Sequence, residues 1–270
     1  MTVDVHHPTE GDLASPSLFW RVRDHLGTIT EEGSDNEETL LRAGGALADH
    51  LADPHAIARF LGGWMSVLQS GEHAETLDRG RSHLHANGFS KISMMRLGAA
   101  EKWNLRLHIW WGTAKDSWIH DHRWSFSSMV LTGRMEAWNF RPMTDEATDA
   151  GQRRIRLYDA DASGAKRVQE LPACPLRTIA HYTLRTGDTH FLHFDEPHLV
   201  ANPVDSPLAT LMLSAPPARS FSHRYGEIQS GSLQQGNLAP TRTLDAGDCI
   251  RESRLLQTRV VNGEREGLER

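Results

Sequence analysis

The hydrophobic period of this chain changes near residue 90, and that change limits the possible folds more than any other feature of the sequence. Before it, apolar residues recur at helical spacing. After it, they alternate. Ser34 and Glu37 form a capping box, and Leu40, Leu41, Leu47, Ala48 and Leu51 follow on one helical face, which predicts a helix to about Ala52. Asp53 and Pro54 open a second helix, with Ile57, Phe60, Leu61, Trp64, Met65 and Leu68 as its packing stripe and Gly71 as its end. A weaker third helix is predicted over 72–85. From Lys91 the pattern becomes that of short strands, at 91–97, 103–111, 126–131, 135–140, 154–158, 180–184, 189–194 and 209–213, separated by Gly, Pro and Asp. Short antiparallel strands in this number leave exposed edges unless the sheet closes or doubles. The expectation is therefore a mainly β jelly-roll barrel behind an N-terminal helical preface (α+β). Its segments would be a mobile start over 1–33 with one docked turn at Leu18-Phe19-Trp20, the preface over 34–88, the barrel over 89–226, and a polar arm or tail over 227–270 in which only 255–261 carries an ordered pattern.

The overall charge narrows the partners. A formal net charge of -6 and a pI near 6.2 disfavour nucleic acid and anionic membranes, both of which select clustered Lys and Arg, so a small-molecule substrate is expected. Cys174 and Cys249 lie far apart and outside any CxxC arrangement, which supports neither a disulfide framework nor a zinc knuckle. No basic segment followed by an apolar run opens the sequence, and no apolar stretch approaches the roughly 18–20 residues of a membrane span. A soluble cytoplasmic protein is the expectation.

Sixteen histidines make metal chemistry the first function to test. His120 and His122 are two residues apart, which on an extended strand places both imidazoles on one face, whereas a helix would separate them by about 200°. Alone, such a pair is more often two unrelated histidines. It stands, however, between Gly112 and Gly133, and downstream Gly187-Asp188 opens a strand, His198 follows, and Asn202 comes four residues later. This order resembles the two motifs of the cupin superfamily, with Phe126 at the position usually held by a glutamate. The resemblance implies a cupin jelly-roll with His120, His122 and His198 as metal ligands and no carboxylate.

Within that superfamily the chain is similar to the thiol dioxygenases, such as cysteine dioxygenase, over roughly residues 90–225. The matching stretches are Lys102-Trp103-Asn104-Leu105, Ile119-His120-Asp121-His122, His198 to Asn202, and Ser214-Ala215-Pro216-Pro217. The resemblance implies Fe(II) held by three histidines, a substrate bound directly to it, and O2 as co-substrate. The chain departs from the family at its substrate machinery. Phe126 and Leu213 replace the Cys-Tyr crosslink, Ala209 and Leu211 replace the accompanying Ser and His, and Ser93 falls where the family's carboxylate-binding arginine stands, with Arg96 nearby.

Three neutral imidazoles leave coordination positions open and would accept Fe(II), Zn(II) or Ni(II). Alternation from the histidine pair turns Trp118, Trp124, Phe126 and Ser128 inward, with Trp138 and Phe140 joining from the next strand, either to line a dry pocket or simply to fill the barrel. Arg106, His108 and Trp110 share one face of their strand, and Arg106 or Arg96 is a candidate for holding a carboxylate. His193, at a place where the cupin motif usually has proline, and Asn202 are expected to support the ligands from outside, while His181 and His190 lie beside them or at the surface. Asp121 is expected to be structural. The function expected is a non-haem Fe(II) dioxygenase acting on a small polar or amino-acid-like molecule. The alternatives are a metal cupin without O2 chemistry, such as an isomerase or lyase, and a non-catalytic ligand-binding cupin.

Overall fold

The computed structural model describes residues 16–33, 35–71, 82–85, 87–98, 101–143, 152–160, 166–226 and 242–268. Three helices precede the strands: α1 (Ser17–Glu32), α2 (Asn36–His50) and α3 (Pro54–Ser70). The first of these corrects the expectation of a mobile start from residue 17 onward, because Leu18, Phe19, Val22, Leu26 and Ile29 recur at helical spacing and all are buried. Apolar burial on that stripe outweighs the polar average of the segment. Residues 1–15 lie outside the described residues, as does Ser34. Asp35 caps α2 instead, accepting from the backbone N–H groups of Glu37 and Glu38. The helix α3 follows its prediction, with Asp53 accepting from Ala56 N at 2.8 Å and Gly71 closing it in the left-handed region at φ 70°. Most of the predicted third helix falls outside the described residues, and its end is a strand, β1 (His83–Leu84).

Two antiparallel sheets form the rest. Strands β2 (Ser90–Leu97), β3 (Trp103–Trp110), β6 (Phe126–Thr132), β11 (Thr189–Leu192), β13 (Leu208–Ser214) and β15 (Arg242–Thr243), with β1, make the first sheet in the order β11-β6-β13-β3-β2-β1-β15. The second runs β10-β7-β12-β5-β14-β8-β9, from β5 (Ile119–His120), β7 (Arg134–Pro142), β8 (Gln152–Ala160), β9 (Lys166–Cys174), β10 (Leu176–Arg185), β12 (His198–Asn202) and β14 (Phe221–Gly226), with β4 (Ala114–Lys115) beside β12. The two sheets face each other as a jelly-roll, and the chain is mainly β as expected. Strand β9 escaped the sequence pattern because Arg167, Gln169 and Glu170 are exposed, so no buried alternation marks it, and Pro172 is tolerated at an edge.

The first sheet has two different faces. Ile92, Leu105, Leu107, Ile109, Met129, Leu211 and Leu213 turn toward the helices and share one core with them. The opposite face carries Lys91 paired to His108, His108 paired to Thr210, Met212 paired to Arg106 and to Ser128, and Ser128 paired to His190. This polar row looks into the space between the sheets. A final helix, α4 (Ala246–Leu268), corrects the expectation of a tail: Cys249, Leu256 and Val260 join the helical core, and Gln257 Nε2 donates to Ala58 O in α3 at 2.7 Å. No helix among the described residues is long and apolar enough to cross a membrane.

Candidate metal centre

His120 ends β5 and pairs across the sheet with His198 at the start of β12. His122 lies beyond the end of β5, so strand alternation alone does not bring it to the same side. A buried clamp does. Its backbone N–H donates to Phe194 O at 3.1 Å, and its carbonyl accepts from Arg219 Nε at 3.1 Å and Nη2 at 2.7 Å. Asp121 anchors the clamp, pairing with Arg219 Nη2 at 2.5 Å and accepting from His223 N at 2.5 Å and His223 Nδ1 at 2.8 Å.

The three imidazoles converge. Ring centroids are 5.0 Å apart for His120 and His122, 4.5 Å for His120 and His198, and 4.9 Å for His122 and His198. One nitrogen from each lies within 4.8 Å of the others, as a shared ion requires. His120 Nδ1 donates to Trp118 O at 3.0 Å, which leaves Nε2 with its lone pair. His198 Nδ1 is buried with no hydrogen-bond partner. Burial, followed by the neighbouring imidazoles, holds the pKa of His122 and of His198 well below the usual histidine range, so both are neutral donors at pH 7. The orphaned nitrogen and this all-imidazole set fit a divalent transition metal.

The histidines open onto a cavity of about 230 Å³. Of the residues expected there, His108, Trp110, Trp124, Phe126 and Ser128 line it. Three do not. Trp138 sits at the wrong parity on β7, where Met135 faces the cavity, and it stacks flat on His181 at 4.5 Å and 8°. Arg106 donates to Ser214 Oγ at 2.8 Å and lies 5.1 Å from the Trp124 ring centroid, outside the lining. Arg96 lies past a bulge in β2, opposite Asn104, and is also outside the lining. The two supporting residues act elsewhere: His193 Nε2 meets Glu37 of α2 at 3.2 Å, and Asn202 Nδ2 donates to Gly112 O at 2.9 Å and Ser206 O at 2.7 Å, tying two loops together.

On β13 the side chains facing the cavity are Thr210 and Met212, one residue out of step with the positions that the family resemblance selected. Ala209, Leu211 and Leu213 belong to the helical core. The fold also brings in residues that the sequence does not place in the cavity. His190 lines the cavity with its Nδ1 buried and unpartnered, and burial pushes its pKa down to about 4. Asp116, with its pKa raised by burial, accepts from Asn87 Nδ2 at 2.6 Å and Val200 N at 3.0 Å and stands 4.0 Å from His120 Nδ1. Arg224, Lys91 and His85 complete that end of the cavity. Alternation in 221–225 was the available signal for Arg224, and no strand was assigned there.

No family model matches the chain, and no curated protein matches it. Among solved structures, it is similar to the cupin domain of Cnp3 from Schizosaccharomyces pombe, at 6% identity and TM-score 0.30 over 47% of this chain and 64% of that one. It is also similar to an RmlC-like cupin from Shewanella frigidimarina, at 12% identity and TM-score 0.29 over 53% and 88%. A third is hydroquinone 1,2-dioxygenase from Sphingomonas sp. TTNP3, at 16% identity and TM-score 0.28 over 46% and 65%. Likeness at this level says nothing of what the chain binds.

Proposed function

We propose that this protein is a non-haem Fe(II) dioxygenase of a small molecule, with a thiol dioxygenase-like metal site and no Cys-Tyr crosslink. The observation that carries this reading is the convergence of three histidine nitrogens within 4.8 Å at the wall of a cavity. His120, His122 and His198 would hold Fe(II), which would supply open coordination positions for a chelating substrate and O2, and the same donors would fit Zn(II) or Ni(II).

The protein's own contribution is orientation and exclusion of water. The Trp118 carbonyl fixes the His120 tautomer, and the Arg219–Asp121 clamp fixes the main chain at His122. Phe89, Trp124, Phe126, Met135 and Met212 give the cavity apolar walls, which limit escape of reactive oxygen species. With Phe126 in the wall and Leu213 in the helical core, no crosslink forms.

Anaerobic purification with metal analysis, followed by oxygen-electrode screening of thiols, amino acids and amines, tests the reading. His198→Ala is expected to lower metal occupancy at least about 10-fold and to abolish O2 uptake, since it removes one of three ligands. O2 uptake by the metal-free variant sinks it. Asp116 and His190, two titratable groups facing the cavity, favour a second reading, a Lewis-acid isomerase or lyase, which full turnover without O2 would identify.

A further inference from the structure

Arg224 lies in the cavity wall, and its guanidinium has no hydrogen bond and no ion pair among the described residues. It lies on β14 directly opposite His120 of β5. Residues opposite one another in an antiparallel pair hold their Cβ atoms about 4.5–5.5 Å apart, so Arg224 springs from the wall beside the first metal ligand. Burial holds its pKa below the ordinary arginine value, while Asp116 raises it only through space.

The nearby carboxylates make their hydrogen bonds to other groups, and Asp116 acts on Arg224 only through space. Asp116 accepts from Asn87 and from the Val200 N–H, and Asp121 is held by Arg219 and His223. His85 lies within the field of both Lys91 and Arg224, which places the two cations at the same end of the cavity. On the facing sheet, His108 and His190 line the cavity, with His108 Nε2 and His190 Nδ1 buried without hydrogen-bond partners. A half-buried guanidinium keeps its charge at the expense of solvation unless an anion meets it. Its planar fork matches a carboxylate, donating two parallel hydrogen bonds.

We propose that the cavity binds a small organic carboxylate, with Arg224 as the anion contact on the ligand-bearing sheet. This rests on the proposed metal-site function for its place in a reaction, but not for the binding itself. It replaces Arg96 and Arg106, both outside the lining, as the residue that reads the substrate's charge.

Matched probes test it: propionate against propionamide, and benzoate against benzamide, titrated calorimetrically into the full chain both metal-free and loaded with Zn(II). Each carboxylate is expected to bind at least about 10-fold tighter than its neutral amide, through charge-assisted bonds that the amide cannot form. Arg224→Met, close to isosteric, is expected to erase that preference while leaving the melting temperature and zinc stoichiometry unchanged. Arg224→Lys keeps part of it and serves should the Met variant fail to fold. Equal binding of acid and amide, no saturable binding of either acid to the zinc-loaded protein, or undiminished preference in both variants overturns the proposal. Failure to take up zinc with the acid preference intact in metal-free protein counts against the metal centre and supports the Arg224 contact.

Discussion

At the scale of single residues, the cavity is built from groups that are costly to bury unless something meets them. His190 is the clearest case. It sits edge-on to Phe126 at a centroid distance of 5.7 Å, and burial alone pushes its pKa down to about 4 from 6.5. The folded protein therefore holds it neutral, whereas the unfolded chain protonates it below pH 6.5. The stability that follows is fully present above pH 6.5 and is lost as pH falls through the interval down to about 4, by about 3 kcal/mol in all. In metal-free protein, His190→Phe is expected to flatten the fall of unfolding free energy between pH 6.5 and 4. Denaturant melts in a chelator at several pH values measure it, and parallel curves for the two proteins would refute the assignment. A residual slope is expected, because burial pushes His85 down to about 3 and also holds His108, His122 and His198 well below the usual histidine range.

At the scale of elements, the three-histidine cluster is legible because glycine spacing and the His-x-His pattern are local, whereas the rest of the wall depends on register. On β7 Met135 faces the cavity, so Trp138, an odd number of residues on, turns to the other face of the strand. Thr210 and Met212 differ from the expected cavity positions by one residue, which in a strand exchanges the two faces. The helix α1 shows the converse: its apolar stripe was present in the sequence but diluted by acidic neighbours. Gly133 itself carries φ 90°, and a Cβ there would stand 2.5 Å from Pro207 O and 2.9 Å from Leu208 Cα, both backbone atoms that cannot swing aside. Gly133→Ala is accordingly expected to cost about 2–3 kcal/mol, through left-handed backbone and the displaced start of β13. Chemical denaturation reads this directly, and an unchanged midpoint would show that the corner relaxes freely.

At the scale of the whole molecule, the first sheet divides the work. One face is fused to the helices in a continuous apolar core, and the other faces the cavity, so the helices stabilise the sheet without lining that space. The second sheet supplies His120 and His198 from β5 and β12, and the clamp built from Arg219 and His223 reaches His122 from the far side of β14. These segments are distant in sequence and come together only in the folded jelly-roll, so the unfolded chain has no comparable site. Metal binding is thereby coupled to the global equilibrium, not to one loop. Zn(II) at about 100 times its dissociation constant is expected to stabilise the protein by about 2.7 kcal/mol, and at 1,000 times by about 4.1 kcal/mol. In a chain of this size each kcal/mol raises the melting temperature by about 2–4 °C. The shift should vanish in His198→Ala and persist in Arg224→Met, because only the first removes a metal donor. An equal shift in all three proteins would mean that zinc stabilises the fold from somewhere other than the three histidines.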